Sequence, residues 1–552
     1  MCNTWSPPFR HFNLAMSDTF IRSGNDSLDI LVPRIRGFLA KDIAEYTMLG
    51  KRVRGFRSPD SPSIWLRDHS DILRGGKYWE KELQAVLDHF AETQTARGWL
   101  FDNFATKPEK PPCERENWAR YIRVPVEADV EFRFVKAVFL TWQATGDDRW
   151  LRRMMPHMEK ALEYTLTDPW RWDRKTRLVK RAYTVDTWDF DYTAGRNPWL
   201  NFQIDEHTFW GIMHGDNSGY YEAFRLMSFL CGYLGQKRRA ASWKRQADGL
   251  RSRANRACFN GRFYAHRIPL TPAPIPGVDE REQLSLSNPM NINRGMSTHA
   301  MAVNIIREYQ KRGESTGAFA PWYSIDPPFP DGIFGEEKLV AGAYCNGGIM
   351  PLVGGELARA AFGHGFEEYG VRQLLRYEEL TRKNETYLWY FPDGRHSTAE
   401  TSTSPEATPT DGWGSSAMLY ALVEGLAGVV DQEALFRRVS LSPRWVAAGC
   451  GEAEVRVTYG PSGASCGYRF IHDLAGRTIS LEMQGTGIVD LHLMLPPTAS
   501  AAAVRWNGRT LRHRMTKVEK SVYVDACFNM RKKGALVVAY RELASGLTAP
   551  RR

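Results

Sequence analysis

The densest group of reactive side chains in this sequence is Asp186-Thr187-Trp188-Asp189-Phe190-Asp191-Tyr192. Three carboxylates within six residues, set among aromatic rings, are costly in a core and have no use on a surface. In a pocket they make chemical sense. An aromatic wall desolvates one carboxylic acid and raises its pKa, while a neighbour stays ionised. That is the setting a general acid needs to cleave a glycosidic bond. A second group lies beyond position 390, where PDGRHSTAETSTSPEATPTDGWGSSAM offers Glu400, Glu406 and Asp411 in a loop rich in Ser, Thr and Pro. A carboxylate there would activate a water across the site from Asp189. Inverting glycosidases keep such a pair roughly 6.5–9.5 Å apart.

Other segments offer ways to hold a ligand. Trp65-Leu66-Arg67-Asp68-His69 joins an indole, a guanidinium and a carboxylate, which suits hydrogen bonding to vicinal hydroxyls while the ring stacks on a sugar face. Tyr344-Cys345-Asn346-Gly347-Gly348 combines an amide with backbone freedom for close approach. His214-Gly215-Asp216-Asn217 and Glu127-Ala128-Asp129 read equally well as caps or ion-pair groups.

These segments need a scaffold, and the periodicity supplies one. Three stretches read as helix, Gly-containing turn, helix. They run from Val126 through Gly146 to about Leu166, from Gly219 through Gly235 to about Ala257, and from Met350 through Gly365 to about Leu380. Weaker hairpin signals surround Asp71 to Phe90, Ser297 to Tyr309 and Ser415 to Val430. The connections between hairpins are long, aromatic and acidic, unlike the uniform turns of an open solenoid, which favours a closed toroid with a loop-lined mouth. From Glu454 onward the pattern alternates with period two, and Asn507-Gly508 between two such runs signals a hairpin turn.

Composition removes other classes. With 43% apolar and 25% charged residues the chain is an ordinary folded protein rather than a disordered or coiled-coil one. The net charge of +10 is spread among acids, without a block of like charges. Solvated helix faces explain it better than a nucleic-acid surface does, with an anionic substrate as a third reading. No long apolar run is present, and the first twenty residues lack a basic and apolar leader, so a cytoplasmic location and no membrane partner are expected. The eight cysteines are dispersed without a CxxC, and neither a P-loop nor HExxH or GxSxG occurs.

Taken together, the motifs resemble the six-hairpin glycosidase superfamily, whose members fold as an (α/α)6 barrel with a C-terminal β domain. The likeness extends from about residue 60 to about residue 500. Trp65-Leu66-Arg67-Asp68 is similar to the W-x-R-D segment of glucoamylases and processing α-glucosidases, which binds the sugar in the −1 subsite. Thr187-Trp188-Asp189-Phe190 resembles the S-G-W-D-F-S stretch of trehalases, whose aspartate is the general acid. Val185-Asp186 stands where trehalases have Glu-Ser, so trehalose specificity does not carry over. Glu406 precedes Asp411-Gly412-Trp413-Gly414 much as the general base of trehalases precedes G-x-G-W-T-N-G, with Glu400 as its rival. Tyr344 to Gly348 is similar to the Y-x-N-G-G segment of neutral invertases. Ser440-Leu441-Ser442-Pro443-Arg444-Trp445 resembles the approach to the β domain of α-L-rhamnosidases.

The resemblance implies a mainly α chain. An N-terminal segment (1–55) would pack on an (α/α)6 toroid (56–436), followed by a C-terminal β-sandwich (437–552). The implied activity is inverting, exo-acting hydrolysis of a terminal sugar, an α-glycoside, with Asp189 as acid and Glu406 as base. Asp186, Asp191 and Glu400 are rivals for those roles. Trp65, Arg67, Asp68, Trp188, Tyr344, Asn346 and Trp413 would hold the sugar. No cofactor and no metal are expected, and the partner is carbohydrate. Two alternatives stay open: a glycoside phosphorylase on the same barrel, and a non-catalytic carbohydrate-binding or scaffold protein.

Overall fold

The computed structural model describes residues 18–59, 61–106, 119–188, 190–196, 203–273, 275, 277–403 and 408–542. Asp189 and Glu406 lie outside the described residues. The described helices are α1 (Asp26–Asp29), α2 (Leu31–Lys41), α3 (Leu66–Gly76), α4 (Ala85–Glu92), α5 (Val130–Thr145), α6 (Asp148–Thr167) and α7 (His214–Tyr233). They continue with α8 (Lys237–Cys258), α9 (Ser287–Asn293), α10 (His299–Thr316), α11 (Pro351–Gly363), α12 (Glu367–Leu380) and α13 (Gly412–Tyr420).

Helices of two kinds alternate along the chain. α5 is buried almost all round, as its run of Phe132, Phe134, Val135, Ala137 and Val138 demands. α8 buries one stripe only, Trp243, Ala247, Leu250, Ala254 and Cys258, at three- and four-residue spacing. The first pattern belongs to an inner helix and the second to an outer one. The packing agrees: α3, α5, α7, α9, α11 and α13 each contact the next, and α13 returns to α3, so the inner six close a ring. α6 lies on α5, α8 on α7, α10 on α9 and α11, α12 on α11, and α2 on α13 and α3.

Local chemistry sets the hairpins. Gly146 ends α5 in the left-handed conformation, φ 67°, and Asp147 then caps α6 by accepting from the Trp150 N–H at 2.9 Å. Inner helices approach closely where a side chain is missing. A Cβ on Gly355 of α11 would stand 2.3 Å from the carbonyl carbon of Ala417 in α13.

Beyond α13 the chain turns to β structure. Among the described residues ten strands form one hydrogen-bonded sheet, antiparallel except where Arg438–Leu441 runs parallel to the strand Thr478–Leu495. The alternation read from the sequence is present, and Asn507 and Gly508 take φ values of 48° and 79° between paired strands. The strands are hydrogen-bonded into one connected sheet, in which Thr478–Leu495 pairs along its whole length with residues 522–539. Phe20–Arg22, from the N-terminal segment, adds to this sheet beside Glu454–Arg456 instead of lying only on the helices. The largest hydrophobic cluster runs without a break from Ile21 through the ring to Tyr540, so helical and β regions share one core.

Candidate active site

The two ends of the ring are built differently. Connections from an inner helix to the next outer one are short: 77–84, 146–147, 234–236, 294–298 and 364–366. Connections into the inner helices are long: 42–65, 93–129, 168–213, 259–286, 317–350 and 381–411. Each described site residue expected from the sequence therefore falls on a long connection or the first turn of an inner helix. Small sheets knit these connections together, as where Ile64–Trp65 pairs with Asn103–Phe104, and that strand with Tyr121–Ile122.

Trp65 precedes α3 and is partly buried, with the Arg67 guanidinium 5.8 Å from its ring centre. Arg67 Nη1 lies 2.8 Å from Glu127 Oε1 and 3.9 Å from Asp129 Oδ1, both fully buried at the start of α5. Asp68 is buried, its Oδ2 4.0 Å from Arg67 Nε. Across the same end, Trp188 packs edge-on against Tyr344 with ring centres 5.5 Å apart, and meets Trp413 at 5.6 Å. Phe190 meets Tyr344 at 5.6 Å, and Trp389 lies 6.2 Å from it. The two sequence neighbours of Asp189 thus share one aromatic partner.

Ion pairs join the Arg67 group to this aromatic group. Trp413 Nε1 donates to Asp71 Oδ2 at 2.7 Å, Arg133 Nη1 donates to the same oxygen at 2.6 Å, and Arg133 Nε is 3.4 Å from Asp129. Of the predicted residues the structure places Trp65, Arg67 and Asp68 in one group and Trp188, Tyr344 and Trp413 in another, the two linked through Asp129, Arg133 and Asp71. Others have different surroundings. The Asn346 side chain is fully buried and engaged with backbone, accepting from the Phe329 N–H and donating to the Phe329 and Leu339 carbonyls. It holds its loop. Glu400 is exposed. Asp191 is buried and pairs with Thr184 across a β-bridge.

Asp186 anchors the segment that carries the predicted acid. It sits at φ 46°; its N–H donates to His266 Nε2 at 2.8 Å, and its carboxylate accepts from Ser287 Oγ at 2.5 Å. Burial alone would raise this carboxyl, but His214, Ser285, Ser287 and His266 outweigh it and hold it below the usual range. That suits a carboxylate that stays ionised. Arg181 adds a second anchor, donating to the Trp188 carbonyl at 2.6 Å while paired at 3.2 Å with buried Asp216.

The carboxylates at this end fall into two classes. Burial pushes Asp42 up to about 7 and Asp216 to about 6, and raises Asp102 and Asp411 well above the ordinary value. For Asp71, flanking arginines and the Trp413 indole overcome burial and bring it down to about 2; for Asp129, Arg67 and Arg133 lead the same reversal. Neighbouring acids with separated pKa values are what acid–base chemistry uses. Among the described residues no cluster of His, Cys, Asp and Glu is arranged to hold a metal ion. Asp42, Asp71, Arg133 and Arg181 escaped sequence reasoning. The three-residue spacing of Asp68, Asp71 and Arg74 on α3 was the one local sign of a polar stripe.

In its fold, a helical ring with an appended sheet, the chain is similar to solved glycoside hydrolases. An α-L-rhamnosidase from Dictyoglumus thermophilum superposes over 95% of this chain and 50% of its own, with a TM-score of 0.56 at 10% identity. A GH78 rhamnosidase from Bacillus sp. GL1 superposes over 87% of this chain and 43% of its own, with a TM-score of 0.57 at 17% identity. A GH63 mannosylglycerate hydrolase from Thermus thermophilus, in complex with glucose, covers 71% of this chain and 99% of its own, at a TM-score of 0.50 and 15% identity. The chain spans about half the length of the rhamnosidases it matches. No family model and no curated protein matches the sequence.

Proposed function

We propose that the helical ring is an (α/α)6 toroid and that the protein is an inverting, exo-acting glycoside hydrolase acting on a terminal α-linked sugar. The observation that carries this reading is a network at one end of the ring, in which the contacting Trp188, Trp413 and Tyr344 rings are linked through Asp71, Arg133 and Asp129 to Arg67. Aromatic faces stack on the C–H face of a sugar, and a guanidinium grips adjacent hydroxyls. In this reading Asp189 protonates the departing glycosidic oxygen, and Glu406 takes a proton from the water that attacks the anomeric carbon from the opposite face. Trp65, Arg67 and Asp68 hold the terminal ring. Asp186 keeps the loop of the acid in place and takes no proton itself.

The test is a panel of aryl glycosides read by proton NMR, beginning with α-L-rhamnoside, α-D-glucoside and α-D-mannoside. The first-formed sugar should have the anomeric configuration opposite to that of the substrate. A retained anomer, or turnover that depends on added phosphate and yields a sugar 1-phosphate, would overturn the assignment. So would the lack of turnover on every glycoside tried.

A further inference from the structure

The end of the ring opposite the candidate active site holds a second polar chamber. A cavity of about 260 Å³ lies among the C-terminal halves of the inner helices, and a smaller recess continues from it along the axis toward Asp71 and Glu356. Arg74, Lys77, Lys136, Arg225 and Arg294 line the cavity, against the carboxylates of Glu222, Glu424 and Asp431.

The bland account of these cations is the helix dipole, which favours positive charge at helix C-termini. It covers Arg74 and Lys77 at the end of α3 and Arg294 at the end of α9. It leaves out Lys136 and Arg225, which stand in the interiors of α5 and α7. The lining acids are already engaged. Glu222 pairs with Lys136, and Glu424 is 4.0 Å from Arg359. The Asp431 carboxylate accepts from the Glu433 and Phe436 N–H groups and from the Tyr459 hydroxyl. Among the described residues no carboxylate lies within 4.0 Å of Lys77 or Arg225.

Four further features distinguish this cavity. Arg74 is buried and bonds Glu356 through one terminal nitrogen, while its Nη2 has no hydrogen-bond partner among the described residues. A buried, unpaired guanidinium nitrogen is costly unless something fills its place. Lys77 is 2% exposed, and its ammonium donates to the neutral Gln143 Oε1 at 2.9 Å. Burial lowers the pKa of both Lys77 and Arg294, the direction a bound negative charge would reverse. The rim is also irregular. Directly after α13 the chain widens into a π-helical turn, Ala421–Leu426, which carries Glu424. Such turns occur often at functional sites.

We propose that this cavity binds a small oxyanion, a phosphate or carboxylate group, between Lys77, Arg225 and the unpaired edge of Arg74. The site is independent of the glycosidase reading and lies at the other end of the ring. Isothermal titration of the full chain with inorganic phosphate, and separately with citrate, at constant ionic strength tests it and shows which anion class is preferred. Saturable binding is expected, weakened about tenfold by Arg225→Gln, which removes one charge-assisted contact from an exposed position. Lys77→Met should abolish it. Should that buried variant fail to fold, Arg225→Glu reverses charge at the rim without touching the core and is expected to abolish binding as well. No saturable binding of either anion, or an affinity unchanged in Arg225→Gln, would overturn the proposal. An anion held at the mouth would give that second result.

Discussion

The two ends of the helical ring solve opposite problems with the same six helices. At the N-terminal ends of the inner helices, long connections crowd carboxylates against aromatic rings, and burial splits the acids into a raised set and an ionised set. At the C-terminal ends, short connections leave few loops to spare, and the chemistry comes from lysines and arginines carried on the helices or at their C-terminal caps. Loop length thus decides which end can build an acid–base site. The short-turn end presents what the helices, their caps and the start of the sheet carry.

That contrast breaks most sharply at the predicted carboxylates. Asp189→Asn and Glu406→Gln should each lower kcat by about 10²–10⁴-fold with the far-ultraviolet circular dichroism unchanged. Near-normal turnover in either variant would move the chemistry elsewhere. A step down in size, Arg67→Met would take from the buried Glu127 carboxylate the guanidinium it pairs with at 2.8 Å. Breaking a buried ion pair from one side costs about 3–5 kcal/mol, readable in urea unfolding. A loss below about 1 kcal/mol would mean that water reaches that acid and that the mouth is wetter than its burial indicates.

Asp42 sharpens the comparison through pH. Burial leads in raising it to about 7, with Asp68 adding to the effect, against Thr410 and Arg57. Between the unfolded value near 3.8 and the folded value near 7, the folded protein holds a proton that the unfolded chain has lost. Stability should therefore fall as pH rises through that window, by on the order of 2–4 kcal/mol for this group. Asp42→Asn should flatten that part of the profile. An identical slope in the variant would show that Asp42 titrates normally. The smallest effect concerns packing shared by both ends: Gly355→Ala would press a methyl group onto the α13 backbone and cost about 1–3 kcal/mol.

How much of this was legible in the sequence follows from distance along the chain. Gly146, Gly235 and Gly365 marked three hairpins correctly, because a left-handed residue between two amphipathic runs is a local signal. Asn507-Gly508 was readable for the same reason. The aromatic segment around Trp188 and the helix start at Trp413 stood out by composition, though nothing local said that their rings would meet. What stayed hidden is non-local. Trp413 donates to Asp71 across 342 positions of sequence, and Thr410 to Asp42 across 368. Asn346 shows the converse limit: a polar residue beside two glycines reads as a ligand contact, while its amide is engaged with loop backbone.

The closure of the ring has a consequence for how the chain is made. α3 emerges early from the ribosome, yet its neighbour α13 follows only after more than three hundred residues, and the strand Phe20–Arg22 waits longer still for Glu454–Arg456. Until then α3 has α5 as its ring neighbour on one side and the earlier α2 beside it, while the face that α13 will cover waits. Hairpins such as α5–α6 and α7–α8 can form as they appear, since their contacts are local. The final seam joins the oldest and youngest helices of the ring in a single late event, and a nascent chain stalled before Gly412 would leave the cylinder open along that seam.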